Sequence, residues 1–352
     1  MTSSPATSPE PPPDVTIGDY LPTDSEEAVA LERLCAQGEG YRLSFRRESF
    51  HRRAENFAVH KLFTARRRGR LVGVSAIAVK AAELFGRPVQ AAFGFDLRVH
   101  PELRGQGLAP CLFAAALRWG LARAELAYTY VMAGNAAAAR LALRFGIEVG
   151  GYTYLVLPVL HRREARLRPA NASTQEVHAE MRRVAGPFDF YADPLGEGRA
   201  PGHVASWLLR TPSGLAGCSA WDNRAILAEV VESLPVPFRL ARHVLAAWPL
   251  RRWSWPRIPE PGEELRSWYL FDVFATGAEP ARELLRAVNT AAAEAGIDWL
   301  YLAHGTGESW VGALRAEVPR PFAPLVPYRL IMTCRDAPPP RIGRLYVDIR
   351  DL

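Results

Sequence analysis

Lysine is nearly missing from this chain: of its 43 basic residues only Lys61 and Lys80 carry an ammonium, so the net charge of +6 is almost wholly arginine. Arginine's planar fork suits phosphates and carboxylates, and the balance mildly favours an anionic or polar binding partner. The Arg-Arg pairs at 46–47, 52–53 and 162–163 and the triplet at 66–68 fall in no recognisable nucleic-acid motif. They read as solvated faces and hairpin tips, which argues against a nucleic-acid partner. Cysteine is also scarce. Cys35, Cys111, Cys218 and Cys334 stand far apart, with no Cys-x-x-Cys and no histidine at ligand spacing. That pattern speaks against a disulfide framework and a metal site, and for reduced thiols in a cytoplasmic protein. No apolar run approaches the roughly 18 residues that a membrane span requires. Residues 1–13 are rich in Ser, Thr and Pro, without a charged start or an apolar centre, and predict a disordered tail rather than a signal.

What is present is a local pattern, Val99-His-Pro-Glu-Leu-Arg-Gly-Gln-Gly-Leu-Ala109, that joins a strand end to a helix start. Before it, Phe93, Phe95, Leu97 and Val99 recur at a spacing of two, which predicts a half-buried strand with these four on one face and Asp96 on the other. After it, Pro110 sits where a helix tolerates proline, and Leu112, Phe113, Ala116, Leu117 and Leu121 repeat at helical spacing. Gly105 and Gly107 open backbone angles closed to other residues, so consecutive N–H groups converge at a helix N-terminus and cradle a phosphate. A Walker loop would need Gly-Lys-Ser/Thr, which is absent. A dinucleotide fingerprint would need a glycine where Pro110 stands.

With both set aside, Arg104-x-x-Gly107-x-Ala109 resembles the pyrophosphate loop, Arg/Gln-x-x-Gly-x-Gly/Ala, of the GNAT superfamily of acyl-CoA N-acyltransferases. The flanks agree with that resemblance. Glu125 to Ala133 reads as the next strand, Asn135-Ala-Ala-Ala-Ala-Arg-Leu-Ala-Leu-Arg-Phe-Gly146 resembles the family's Asn-x-x-Ala helix, and Tyr152 to Val159 reads as a further strand. Upstream, Val15 to Tyr20 predicts a strand, Asp24 to Cys35 a helix capped by Asp24, and Ala58 to Arg66 with Leu71 to Val79 a hairpin around Arg67-Arg68-Gly69-Arg70. In a GNAT domain the arginine-rich stretch from Tyr41 to Phe57 would hold the helices of one wall of the acceptor cleft.

The chain then repeats itself. Ser173 with Glu176 predicts a capping box opening a helix to Ala185, after a strand-like Glu164 to Pro169. Gly69-Arg-Leu-Val-Gly-Val-Ser-Ala76 is echoed by Ser213-Gly-Leu-Ala-Gly-Cys-Ser-Ala220, Phe95-Asp-Leu by Phe271-Asp-Val, and Leu126 to Ala133 by Ile297 to Ala303. The resemblance is therefore to tandem-GNAT proteins. It implies an α+β fold of three layers, with two GNAT-like domains, each a mixed and mostly antiparallel sheet flanked by helices. The N-terminal domain would span 14–160 and bind acetyl-CoA, and a degenerate copy would span 161–352. The degeneracy lies at Thr276-Gly-Ala-Glu-Pro-Ala-Arg282, which has one glycine and an added carboxylate, Glu279, in place of the cradle. Trp248, Trp253, Trp255 and Trp268 mark an extra segment that reads as a packed loop.

The resemblance also assigns roles. Acetyl-CoA would be the co-substrate, its pyrophosphate on the N–H groups of Arg104, Gly105, Gln106, Gly107, Leu108 and Ala109. The backbone of Leu97 and Val99 would line the cofactor, with an N–H at or near Val99 as oxyanion donor, and Asn135 would contact the pantetheine arm or order the strand end. The family's usual general acid, a tyrosine, falls on Ala142. Asp96 is placed to draw a proton from the amine, and Tyr154 is the other candidate for proton transfer, with Tyr128, Tyr130 and Tyr152 close by in sequence pattern. The function expected is that of an N-acetyltransferase acting on a small-molecule amine. The alternative is a non-catalytic CoA-binding regulatory or scaffolding protein. The identity of the amine and the oligomeric state are not readable.

Overall fold

A computed structural model describes residues 9–38, 42–160, 169–194, 201–236, 238–240, 242, 257–305, 308, 310–318 and 323–351. The first half runs β1 (Val15–Asp19), α1 (Ser25–Arg33), β2 (Arg42–Arg46), β3 (Val59–Arg67), β4 (Arg70–Leu84), β5 (Arg87–Val99), α2 (Leu108–Leu121), β6 (Leu126–Met132), α3 (Ala136–Ala142) and β7 (Ile147–Pro158). The second runs β8 (Ala170–Asn171), α4 (Thr174–Ala185), β9 (Phe190–Ala192), β10 (His203–Thr211), β11 (Gly214–Trp221), β12 (Ala228–Ser233), β13 (Ser267–Ala275), α5 (Ala278–Glu294), β14 (Trp299–Gly305), α6 (Trp310–Ala316), β15 (Leu325–Cys334) and β16 (Leu345–Tyr346). The echoes in the sequence fall on equivalent strands: β4 with β11, β5 with β13, β6 with β14.

The two halves share one sheet, in the order β1-β3-β4-β5-β6-β15-β7-β14-β13-β11-β10-β8. Read from either end, the order is the same list of equivalents, so a pseudo-twofold axis passes between β15 and β7. Each half has handed its last strand to the other. β15 pairs antiparallel with β6 along Leu126–Met132, and β7 pairs antiparallel with β14 from Tyr152↔Gly305 to Pro158↔Trp299. Along this sheet the two halves of the chain are thus arranged as two copies of one unit that complete each other. At the seam, Gly151 is required: a Cβ there would stand 2.3 Å from the Tyr328 carbonyl oxygen.

Helices α2 and α5 lie on one face of the sheet, over separate cores around Leu112 and Val99 and around Leu284 and Leu302. α1 and α4 lie on the other face. Between them that face carries a single core spanning both halves, in which Phe93, Phe95, Tyr128, Tyr152 and Tyr154 meet Phe271, Tyr269 and Trp221. A two-stranded sheet contributes to this side, with β2 from one half paired to β12 from the other, Phe45↔Glu229 in register. The segment 345–351 joins the same layer, Ile349 entering the core and β16 pairing with β9.

Three expectations change. The stretch 42–57 holds a 3-10 helix, Phe50–Asn56, but also β2, where only helices were expected, because β2 finds β12 as a strand partner. Asp24 precedes α1 but does not cap it: its carboxylate accepts from the Leu21 N–H at 2.8 Å and from Arg66 at 2.6 Å. Phe93, Phe95, Leu97 and Val99 do not share one face. The β4–β5 register slips between Val74↔Arg98 and Ala76↔Phe95, and this bulge turns Leu97 and Val99 toward α2 while Phe93 and Phe95 stay in the shared core.

The hairpin tip and the helix α4 follow the sequence. Arg68 and Gly69 have φ of 51° and 83°, the left-handed pair of a two-residue hairpin turn. Ser173 and Glu176 form the capping box reciprocally. The expected disordered tail lies at residues 1–8 outside the described residues, whereas the Pro9 carbonyl accepts from the Cys111 thiol of α2. Glu164–Arg168 and Trp248, Trp253 and Trp255 also lie outside the described residues, and Trp268 is a core residue of β13.

Candidate active site

The site begins where two parallel strands part. β5 pairs with β6 only from Ala91↔Leu126 to Phe93↔Tyr128, then runs on to Val99 without it. One further clasp, Thr129 Oγ1 to the Gly94 carbonyl at 2.9 Å, closes the apex. Beyond it the His100 N–H is bonded to the Val72 carbonyl in β4, so strand alternation turns the N–H groups of Leu97 and Val99 to the opposite, opened edge. The Val99 carbonyl on that edge accepts from Cys35 Sγ and Arg104 Nε, both at 3.4 Å.

The glycine loop lies at the mouth of this V. Gly105 and Gly107 have φ of 79° and 85°, and Gly107 is the residue from which α2 starts. Among the described residues the N–H groups of Gly105, Gly107, Leu108 and Ala109 have no hydrogen-bond acceptor, whereas those of Arg104 and Gln106 are bonded within the loop to Pro101 and Leu103. Four free donors thus gather at one helix N-terminus, where the helix dipole also favours an anion. No Cβ stands over the exposed glycines. Asn135 stands at the start of α3 and its side-chain oxygen caps the Ala138 N–H at 3.0 Å, so it orders the end of β6.

Asp96 is the bulge residue itself, in the left-handed region at φ 50° and buried. Its carboxylate accepts from Arg47 at 2.9 Å and Arg53 at 2.8 Å, and Arg98 lies 3.8 Å away. Burial alone would raise its carboxyl, but the three guanidiniums outweigh that and hold it well below the usual carboxylate range. Arg47 is in turn bonded to Glu32 of α1, so the network ties α1, the stretch after β2 and the bulge together. Arg47 and Arg53 come from the pairs that the sequence suggested were solvated; the signal missed is that a buried bulge carboxylate demands countercharge.

The candidate tyrosines form one aromatic floor. Tyr152 stacks on Tyr328 with centroids 4.9 Å apart, and Tyr154 meets Tyr328 edge-on at 5.1 Å. Burial pushes the hydroxyls of Tyr128, Tyr130, Tyr152 and Tyr154 well above their ordinary value, so all four are neutral donors at any pH of interest. Ala142 packs against Val131, Ala139 and Ile331. Ile331 belongs to the exchanged strand β15, so the position of the usual acid is closed core here.

Two carboxyl groups escaped the sequence. Asp351 is buried against Lys80 at 2.5 Å, and burial pushes its carboxyl up to about 6 despite that lysine. Its charge is felt by Tyr128 and Tyr130 beside the V. Glu229, on β12, is pushed up to about 7 by burial. Lys80, one of two lysines and set in the apolar strand β4, was the available hint of a buried charge.

The second half keeps the bulge and loses the cradle. Asp272 has φ 52°, and β13 pairs with β14 only from Ser267↔Trp299 to Leu270↔Leu302. Its carboxylate meets His178 at 3.0 Å and the Tyr346 hydroxyl at 2.6 Å, and among the described residues no arginine is bonded to it. Gly277, before α5, is extended at φ −176°, and Glu279 in the first turn takes hydroxyl hydrogen bonds from Thr211 and Ser213.

Residues 27–147 match the model of the acetyltransferase (GNAT) family. The matched stretch includes the opened strand pair and the glycine loop. Among solved structures, Saccharomyces cerevisiae N-myristoyltransferase with bound myristoyl-CoA is similar over 99% of this chain and 90% of its own, at 12% identity and a TM-score of 0.62. A second structure of that yeast protein with bound myristoyl-CoA covers 98% of this chain and 92% of its own, at 12% identity and 0.61. These likenesses extend the GNAT-type fold across both halves. No curated protein matches by sequence. The yeast structures are those of an N-acyltransferase with an acyl-CoA bound. No helix among the described residues is long and apolar enough to cross a membrane.

Proposed function

We propose that this chain moves an acetyl or similarly short acyl group from CoA to the amine of a small molecule, at the V of its N-terminal half. The observation that carries the reading is the pairing of two donor sets on one edge. The free N–H groups of Gly105, Gly107, Leu108 and Ala109 suit the pyrophosphate, and those of Leu97 and Val99 suit the acyl carbonyl, whose oxygen gains charge when the amine attacks. A short acyl group is favoured because the ground beyond the apex is filled: Phe93 stacks on Tyr128 with centroids 5.2 Å apart and meets Tyr130 at 5.9 Å.

Of the two residues singled out for proton transfer, Asp96 fits a positioning task. Held as a carboxylate, it fixes the bulge and so the edge on which Leu97 and Val99 present their N–H groups. Tyr154 is a neutral donor able to hydrogen-bond the acceptor or the departing sulfur. The carboxyl best matched to accept the amine proton is Asp351, since a base works best with a pKa near the working pH. Thiolate, with a pKa near 8.5, needs little help to leave.

The test is release of free CoA from acetyl-CoA with a panel of primary amines. Asp351→Asn should lower kcat by about 100-fold while leaving acetyl-CoA affinity, read by calorimetry, intact. Tyr154→Phe should cost less. Binding of acetyl-CoA without turnover on any amine would favour a CoA-binding regulatory module instead.

A further inference from the structure

The closed end of the V is held by a side chain where a ladder would use backbone. Pairing of β5 with β6 stops at Phe93↔Tyr128. The next rung of a parallel ladder would carry the Tyr130 N–H to the Gly94 carbonyl. That carbonyl accepts instead from Thr129 Oγ1, at 2.9 Å. One removable hydroxyl thus stands where a main-chain bond would otherwise tie the strands together.

Burial marks the same place as the floor of the opening. Ala91, Ala92 and Phe93 of β5 and Ala127 and Tyr128 of β6 are buried, whereas Gly94, Leu97, Thr129 and Tyr130 are half-buried. A Cβ on Gly94 would have a single neighbour, the Tyr128 carbonyl oxygen at 3.9 Å, so the space over that residue is open. The V is therefore accessible down to the clasp between Thr129 and Gly94 and filled behind it. Along β5 the order from closed end to mouth is Gly94, Leu97, Val99 and then the glycine loop. In an acyl-CoA the acyl group is the end of the molecule away from the phosphates. With the pyrophosphate on the loop and the thioester carbonyl on Leu97 or Val99, the acyl tail points at the clasp.

We propose that Thr129 sets the length of acyl group this chain accepts, by clasping Gly94 across the closed end of the V. The inference rests on the acyl-transfer reading above and names the residue behind its preference for a short acyl group. Loss of the hydroxyl lets β5 and β6 part by one more residue, about 3.3 Å, which is the length of about two C–C bonds. The accepted chain then grows by about two carbons.

The test compares acetyl-, butyryl-, hexanoyl- and octanoyl-CoA with the best amine found, in wild type, Thr129→Ser, Thr129→Val and Thr129→Ala, each read as kcat/KM relative to acetyl-CoA in the same protein. Wild type should fall by about tenfold or more at one step of this series. Thr129→Ser, which keeps the hydroxyl, should fall at the same step. Thr129→Val, close to threonine in size, and Thr129→Ala should both move the fall one step further. A fall that stays at the wild-type step in Thr129→Val overturns the clasp, even where it moves in Thr129→Ala, since bulk alone would then set the limit. No fall in wild type up to octanoyl-CoA also overturns it and leaves acyl transfer standing. If no thioester is turned over, acyl transfer itself falls, and the clasp is judged by calorimetry with the same thioesters. A loss of affinity of about tenfold or more at one step in wild type, moved one step further in Thr129→Val, supports it; no such loss, or one that does not move, overturns it.

Discussion

The bulge at Asp96 and the bulge at Asp272 are the same backbone event in two chemical settings. Both aspartates sit at φ near 50°, both are buried, and both mark a register slip beside a strand pair that parts. In the first half three guanidiniums surround the carboxylate and a glycine cradle follows. In the second, a histidine and a tyrosine bond it, and a carboxylate, Glu279, occupies the helix start. The fold thus preserves the geometry that opens a V independently of the charges that would let the V hold an anion.

The comparison breaks most visibly at the aspartates. Asp96→Ala leaves Arg47 and Arg53 short of a buried partner and should cost about 3 kcal/mol or more in urea unfolding at pH 7. Asp272→Ala removes two hydrogen bonds and should cost about 1–3 kcal/mol. Because the Asp96 carboxyl is depressed in the folded state, its stabilisation is present above the unfolded value of about 4 and is lost as pH falls toward the folded one. Equal costs for the two variants would mean that the arginines add nothing.

A smaller effect sharpens the contrast between the loops. Gly107→Val forces a β-branched residue into the left-handed region at the phosphate cradle and should weaken acetyl-CoA binding by on the order of 1–3 kcal/mol, read by calorimetry on folded protein. Gly277→Val, at an extended residue, should leave affinity unchanged, and native mass spectrometry should count one acetyl-CoA per chain. Two per chain would show that Glu279 does not exclude the cofactor. The smallest effect expected is at the helix starts: Ser173→Ala removes a capping box from α4 and should cost about 1 kcal/mol of stability, whereas α1 has no such side-chain cap to lose.

Local patterns were legible and distant pairings were not. The loop from Arg104 to Ala109, the Ser173–Glu176 cap and the paired Phe-Asp motifs each lie within a few residues, so spacing alone exposes them. The bulge defeated the alternation from Phe93 to Val99, because a single extra residue reverses every later face and carries no composition of its own. Lys80 and Asp351 are 271 positions apart, and Glu229 meets Phe45 through a strand pair that joins the halves. No periodicity in either segment announces such a partner.

The exchange of β7 and β15 also sets an order in time. Chain synthesis delivers β6 and β7 long before Leu325–Cys334, so the GNAT-type half waits with the edges that β15 will join still open while nearly the whole second half is made. Long-range strand pairing of this kind is slow and leaves edges exposed meanwhile. Completion of the sheet beside the V is therefore tied to arrival of the far end of the chain, and the segment bearing Asp351 emerges only after the strand that finishes the sheet.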